Sequence, residues 1–63
     1  MNFHVVKGNG NWWELKTDLT NQILIATPRQ IDAIRFWETK YCNENNSLYI
    51  HSKDGTVRKR SGK

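Results

Sequence analysis

A chain of 63 residues with a formal net charge of +4 is long enough for one domain only, and a domain of that size has a thin stability margin. Its single cysteine, Cys42, excludes an internal disulfide, no apolar run approaches the roughly 18 residues of a membrane span, and "MNFHVVKGNG" lacks the pattern of a secretory leader. The expectation is a cytoplasmic chain, with residues 1–60 as one small domain and 61–63 as a loose tail.

In chain order, "FHVVK" is a β-rich run that ends at the turn signal "GNGN" and is followed by "WWELKT", which predicts a hairpin of Phe3 to Lys7 with Trp12 to Thr17. "DLTN" supplies turn chemistry before "QILIAT", a third strand. A helix from about Pro28 to Glu44 follows. Thr27 is placed to cap it, Pro28 suits the first helical position, and Gln30 completes a T-x-x-Q capping box. Ile31, Ile34, Trp37 and Tyr41 share one face of that helix, which "NENN" then ends.

The last element, "LYIHSKDGTVRKR", reads as a hairpin turning at Asp54-Gly55, where a two-residue type I′ turn needs positive φ at both positions. With a two-residue loop, His51 pairs with Arg58, Ile50 with Lys59 and Tyr49 with Arg60. Leu48, Ile50, Ser52 and Val57 then face the helix, and Tyr49, His51, Lys53, Arg58 and Arg60 face outward. A three-residue loop would turn Arg58 toward the core, at a burial cost. The predicted fold is therefore α+β: an antiparallel meander, one packed helix and a C-terminal hairpin, in the order βββαββ. The expected core comprises Phe3 or Val6 with Val5, Trp13, Leu15, Ile23, Ile25, Ile31, Ile34, Trp37, Tyr41, Leu48, Ile50 and Val57.

"HVV" near the start, Gly10 followed by Trp12 or Trp13, Thr27 followed by Ala33-Ile34, and "YIHSKDGTVRKR" near the end together resemble the small bacterial domain-of-unknown-function family 2188. The resemblance spans nearly the whole chain and implies a β-rich, one-helix fold. It implies no activity. The doubled Trp12-Trp13, and Phe36-Trp37 in place of alanine-like positions, depart from the family pattern.

Chemistry-bearing residues are sparse. His4, His51 and Cys42 lie at no metal-ligand spacing, Cys42 has no neighbouring base in sequence, "KGNGN" lacks the lysine of a phosphate loop, and the six acids are scattered. The expectation is a protein that is not an enzyme and uses no metal or cofactor, membrane or small-molecule substrate.

Charge, in contrast, is segregated. Residues 1–52 hold five bases against five acids and cancel, whereas residues 53–63 hold five bases against Asp54 alone, which accounts for the whole +4. Lys53, Arg58, Lys59 and Arg60 are therefore the expected contacts to the phosphates of DNA or RNA, with Tyr49 and His51 beside them as flat groups for stacking. A two-stranded ribbon also fits the major groove of DNA. The rival expectation is a protein-interaction or homodimerisation module, a small regulator, using Trp12 and Phe36 as exposed aromatic anchors while the basic face serves solubility.

Overall fold

A computed structural model describes residues Met1–Gly62. It has the predicted order βββαββ: β1 Asn2–Lys7, β2 Trp13–Thr17, β3 Ile23–Thr27, α1 Gln30–Lys40, β4 Ser47–His51 and β5 Val57–Ser61. The five strands form one sheet in the order β3-β2-β1-β4-β5. Only the β1–β4 contact is parallel: the meander ends at β3, α1 crosses over one face, and β4 enters beside β1. The C-terminal hairpin thus extends the same sheet, with β4 inside it and β5 at its edge.

Strand alternation sorts the residues. Phe3 and Val5 of β1, Trp13 and Leu15 of β2, and Leu48 and Ile50 of β4 face the helix, which answers with Ala33, Ile34 and Trp37. Burying each large side chain contributes about 1.5–3 kcal/mol. Trp37 is fully buried, with Phe3 edge-on at a centroid distance of 6.5 Å. The strand-one ambiguity resolves toward Phe3 and Val5, which places His4 and Val6 on the opposite face.

Three residues expected in the core are displaced from it: Ile23, Ile31 and Val57 are 50%, 43% and 51% exposed. Each displacement has a local cause. Register slips between Leu15 and Lys16, so Ile23 pairs with Lys16 on the helix-free face while Leu24 packs against the core. The helix presents Ala33 rather than Ile31 to the sheet, because a small residue lets the helix approach closely. Val57 falls outward with the register of β5.

The helix is also shorter than predicted. Thr27 remains the last residue of β3, and its hydroxyl donates to the Arg29 carbonyl at 2.7 Å, so no capping box forms. Arg29 stands at the N-cap without a side-chain cap bond, and its guanidinium pairs with Asp32 in the first turn. The helix stops at Lys40. The Tyr41 N–H still donates to the Trp37 carbonyl, while the Asn46 side chain donates to the Tyr41 carbonyl at 2.7 Å, so "NENN" folds back instead of continuing the helix.

The hairpin turn differs from the two-residue expectation. Ser52 and Thr56 close a three-residue loop, Lys53-Asp54-Gly55: the Ser52 N–H donates to the Thr56 carbonyl at 2.9 Å and the Gly55 N–H to the Ser52 carbonyl at 3.1 Å. Gly55 alone takes positive φ, +91°, the arrangement of a type I turn with a following left-handed glycine. The Asp54 carboxylate accepts from the Thr56 N–H and hydroxyl at 3.0 and 2.8 Å. Those bonds hold its pKa below the ordinary carboxylate range. Their contribution is present above the unfolded-state pKa and is lost as pH falls through the folded one.

The loop moves every pairing by one residue: His51 opposes Val57, Ile50 opposes Arg58, Tyr49 opposes Lys59 and Leu48 opposes Arg60. The burial penalty expected for Arg58 does not arise, because β5 is an edge strand and all five of its residues are exposed. Gly55→Ala should destabilise the domain by about 1–2 kcal/mol, the cost of a Cβ at positive φ, since no steric contact opposes the added carbon. Urea unfolding measures it.

The tail expectation is corrected at two positions. Ser61 pairs with Ser47 at the end of β5, and the Gly62 N–H donates to the Asn46 carbonyl at 2.9 Å. Lys63 lies outside the described residues. Among those residues, no helix is long and apolar enough to cross a membrane.

Candidate nucleic-acid interface

The shifted register divides the predicted outward face in two. Arg58 and Arg60 stand on the helix side of β5, in line with Ile50 and Leu48, whereas Lys59 stands on the helix-free side with Tyr49 and His51. Lys53 is in the loop at the tip. The six predicted residues therefore surround one exposed edge and do not form a single plane. Nor does the hairpin protrude as a free ribbon: β4 is hydrogen-bonded to β1 along its other side, leaving β5 and the loop as its accessible parts.

On the helix side, a guanidinium nitrogen of Arg60 lies 2.5 Å from a carboxylate oxygen of Glu38 on α1. This pair ties the edge strand to the helix, although both side chains keep contact with water and such pairs contribute only about 0–1 kcal/mol. Arg58 and Lys59 make no ion pair among the described residues. Arg35 is exposed one turn before Glu38 on α1, which adds a cation on the helix side.

On the helix-free side, the sheet assembles a cluster that the sequence does not announce. His4 is opposite Tyr49 across the parallel β1–β4 contact and opposite Lys16 across β1–β2. The Asp18 N–H donates to the Asn2 carbonyl at 3.0 Å, continuing the β1–β2 pairing one residue past β2 and bringing the Asp18 carboxylate over His4. His4 Nε2 is 2.6 Å from Asp18 Oδ1, and His4 Nδ1 is 3.0 Å from His51 Nε2. An ionised carboxylate only accepts, so His4 Nε2 carries the hydrogen; with the His4 ring neutral its Nδ1 accepts, and His51 donates from Nε2. The result is a directed chain, His51 to His4 to Asp18.

The rings in this cluster are partly used by one another. Tyr49 stacks on His4 at 5.4 Å with 22° between planes, and Lys59 Nζ lies 6.0 Å from the Tyr49 centroid. Tyr49 thus sits between an imidazole and an ammonium group, a geometry that favours edge contacts over stacking by an incoming base. Lys16 lies in the same cross-strand row, 3.5 Å from the Glu14 carboxylate.

Of the two aromatic anchors of the rival expectation, Phe36 is drawn inward and Trp12 stays exposed. Phe36 is half-buried at the rim of the core beside Tyr41, with ring centroids 6.2 Å apart and Lys40 Nζ 5.8 Å from its centroid. The helix carries it there because its buried stripe is centred nearer Ala33 than Ile31. Trp12 remains 40% exposed, but it folds onto the β1–β2 turn and its indole N–H donates to Glu14 at 3.0 Å. A Cβ added at Gly8 or Gly10 would collide with its ring, so these glycines create the seat that Trp12 occupies.

Among the described residues, no group of three or more His, Cys, Asp or Glu side chains is placed to hold a metal ion. Comparison of the chain with protein families, curated proteins and solved structures found no match.

Proposed function

We propose that this domain is a non-enzymatic nucleic-acid-binding module that grips the phosphate backbone with the edge strand β5 and its loop. The observation that carries this reading is the exposure of the whole of β5, whose three consecutive cations alternate between the two sides of the sheet with no acid in the strand. Arg58 and Arg60 serve phosphates approaching along the helix side, Lys59 serves the helix-free side, and Lys53 serves the tip. Tyr49 and His51 supply polar ring edges next to Lys59.

Such a grip recognises charge and backbone shape rather than base sequence, because phosphate contacts position a nucleic acid without reading it. A backbone reader of this kind also needs neither a pocket nor a freely projecting ribbon.

The experiment is fluorescence anisotropy of a labelled single strand and of a matching duplex. If Lys53, Arg58, Lys59 and Arg60 each neutralise one phosphate, affinity should fall about 50- to 150-fold between roughly 50 and 200 mM salt. Absence of binding, or binding indifferent to salt, would count against the assignment. Comparison of the two probes at equal salt identifies the preferred form.

A further inference from the structure

The chain of bonds from His51 to His4 to Asp18 also bears on how that surface is regulated. We infer that the helix-free face holds a proton-dependent phosphate site built on His51 and Lys59, so that the domain binds nucleic acid more tightly as pH falls. This inference rests on the proposed nucleic-acid function and assigns a regulation to the same surface.

With both imidazoles neutral, each hydrogen along the chain has a partner. His51 Nε2–H meets His4 Nδ1, and His4 Nε2–H meets Asp18. The remaining ring nitrogen of His51, Nδ1, is the terminus of the chain and makes no hydrogen bond within the described structure. One added proton fits there without breaking either bond, and it turns Nδ1 from an acceptor into a charged donor. A second proton would have to enter at His4 Nδ1, against the Nε2–H of His51.

The surrounding charges favour this outcome in combination with a phosphate. From β1 the group facing His51 is His4; from β2 and its following turn come Lys16, paired with Glu14, and Asp18, bonded to His4. From β4 and β5 come Tyr49 and Lys59. The helix is on the other face and reaches His51 only through Gln30, which donates to its main-chain carbonyl. Glu14 is paired with Lys16, and Asp18, bonded to a neutral imidazole, balances the added proton in charge, so Lys59 supplies the net positive charge of this face and the new His51 Nδ1–H adds a donor to it. A phosphate supplies the counter-charge, and its binding and protonation of His51 promote one another by linkage.

Two probes test this across about pH 5.5 to 8, the range in which imidazoles commonly change charge. For a labelled single strand, one linked proton should strengthen binding by up to about tenfold per pH unit as pH falls, and His51→Gln should flatten the profile. Inorganic phosphate, followed by NMR of the imidazole C–H signals, should shift the His51 resonance in the wild type near pH 6. His4→Gln, which leaves the His51 ring in place, checks that the response belongs to His51. Strand binding with a flat pH profile, or an unchanged profile in His51→Gln, overturns the inference while leaving the nucleic-acid reading standing. Loss of strand binding at every pH, with the phosphate-induced His51 shift retained, overturns the nucleic-acid reading and with it the proposed regulation, and assigns the site to free phosphate.

Discussion

Trp37→Ala is expected to abolish cooperative folding. The side chain is fully buried between α1 and the sheet, against Phe3, and lies in one cluster with Val5, Leu15 and Leu48. Truncation of a buried Trp costs about 3–5 kcal/mol, because the lost transfer energy is joined by a cavity the surroundings cannot close. A single small core seldom supplies more than about 3–5 kcal/mol in total. Near-ultraviolet circular dichroism should lose its fixed aromatic signal, and the urea transition should vanish or move to the lowest concentrations.

Trp37→Phe separates packing from polarity at the same position. The indole Nε1 is buried without a hydrogen-bond partner, so its removal deletes an unsatisfied donor as well as part of a ring. The phenylalanine variant should remain folded and be less stable than the wild type by clearly less than the alanine variant. Equal losses in both would mean that the indole edge, rather than the bulk of the ring, holds the core together.

The second large effect concerns binding. Arg58→Glu with Lys59→Glu should weaken nucleic-acid binding at least tenfold at low salt and reduce the slope of log affinity against log salt by about two, one unit for each phosphate that is no longer neutralised. These two cations are chosen because neither is held in an ion pair, whereas Arg60 already spends part of its charge on Glu38. The two reversals bring the formal net charge from +4 to zero, so a control must make the same change elsewhere. Lys7→Glu with Lys40→Glu does so away from β5. Anisotropy titrations should show little change in the control, and an equal loss would assign the binding to net charge instead of to the edge strand.

Secondary structure was largely legible because its signals are local. Alternation in "FHVVK" and "WWELKT", turn residues between the runs, helical periodicity through Ile34 and Trp37, and Asp54-Gly55 all act within a few residues. They suffice for the order βββαββ. Small errors arose where two local solutions compete. Asp54-Gly55 supports a two-residue turn or a three-residue loop, and the Asp54 bonds to Thr56 favour the latter. That one-residue difference sends Arg58 and Arg60 to one side of the sheet and leaves Lys59 on the other.

By itself, the sequence determined the element order, most of the core and the concentration of positive charge after residue 52. Hydrophobic periodicity and net charge are additive along a chain and need no knowledge of partners. Only the tertiary structure decided that β4 lies parallel to β1, because that pairing joins residues more than forty positions apart through a crossover helix. His51 reaches His4 solely as a consequence of it, whereas Asp18 reaches His4 through the β1–β2 hairpin, and no spacing rule in the sequence connects His4 with His51. The same pairing buries β4 within the sheet and leaves β5 as the exposed edge, turning a basic C-terminal stretch into a two-sided rim of cations.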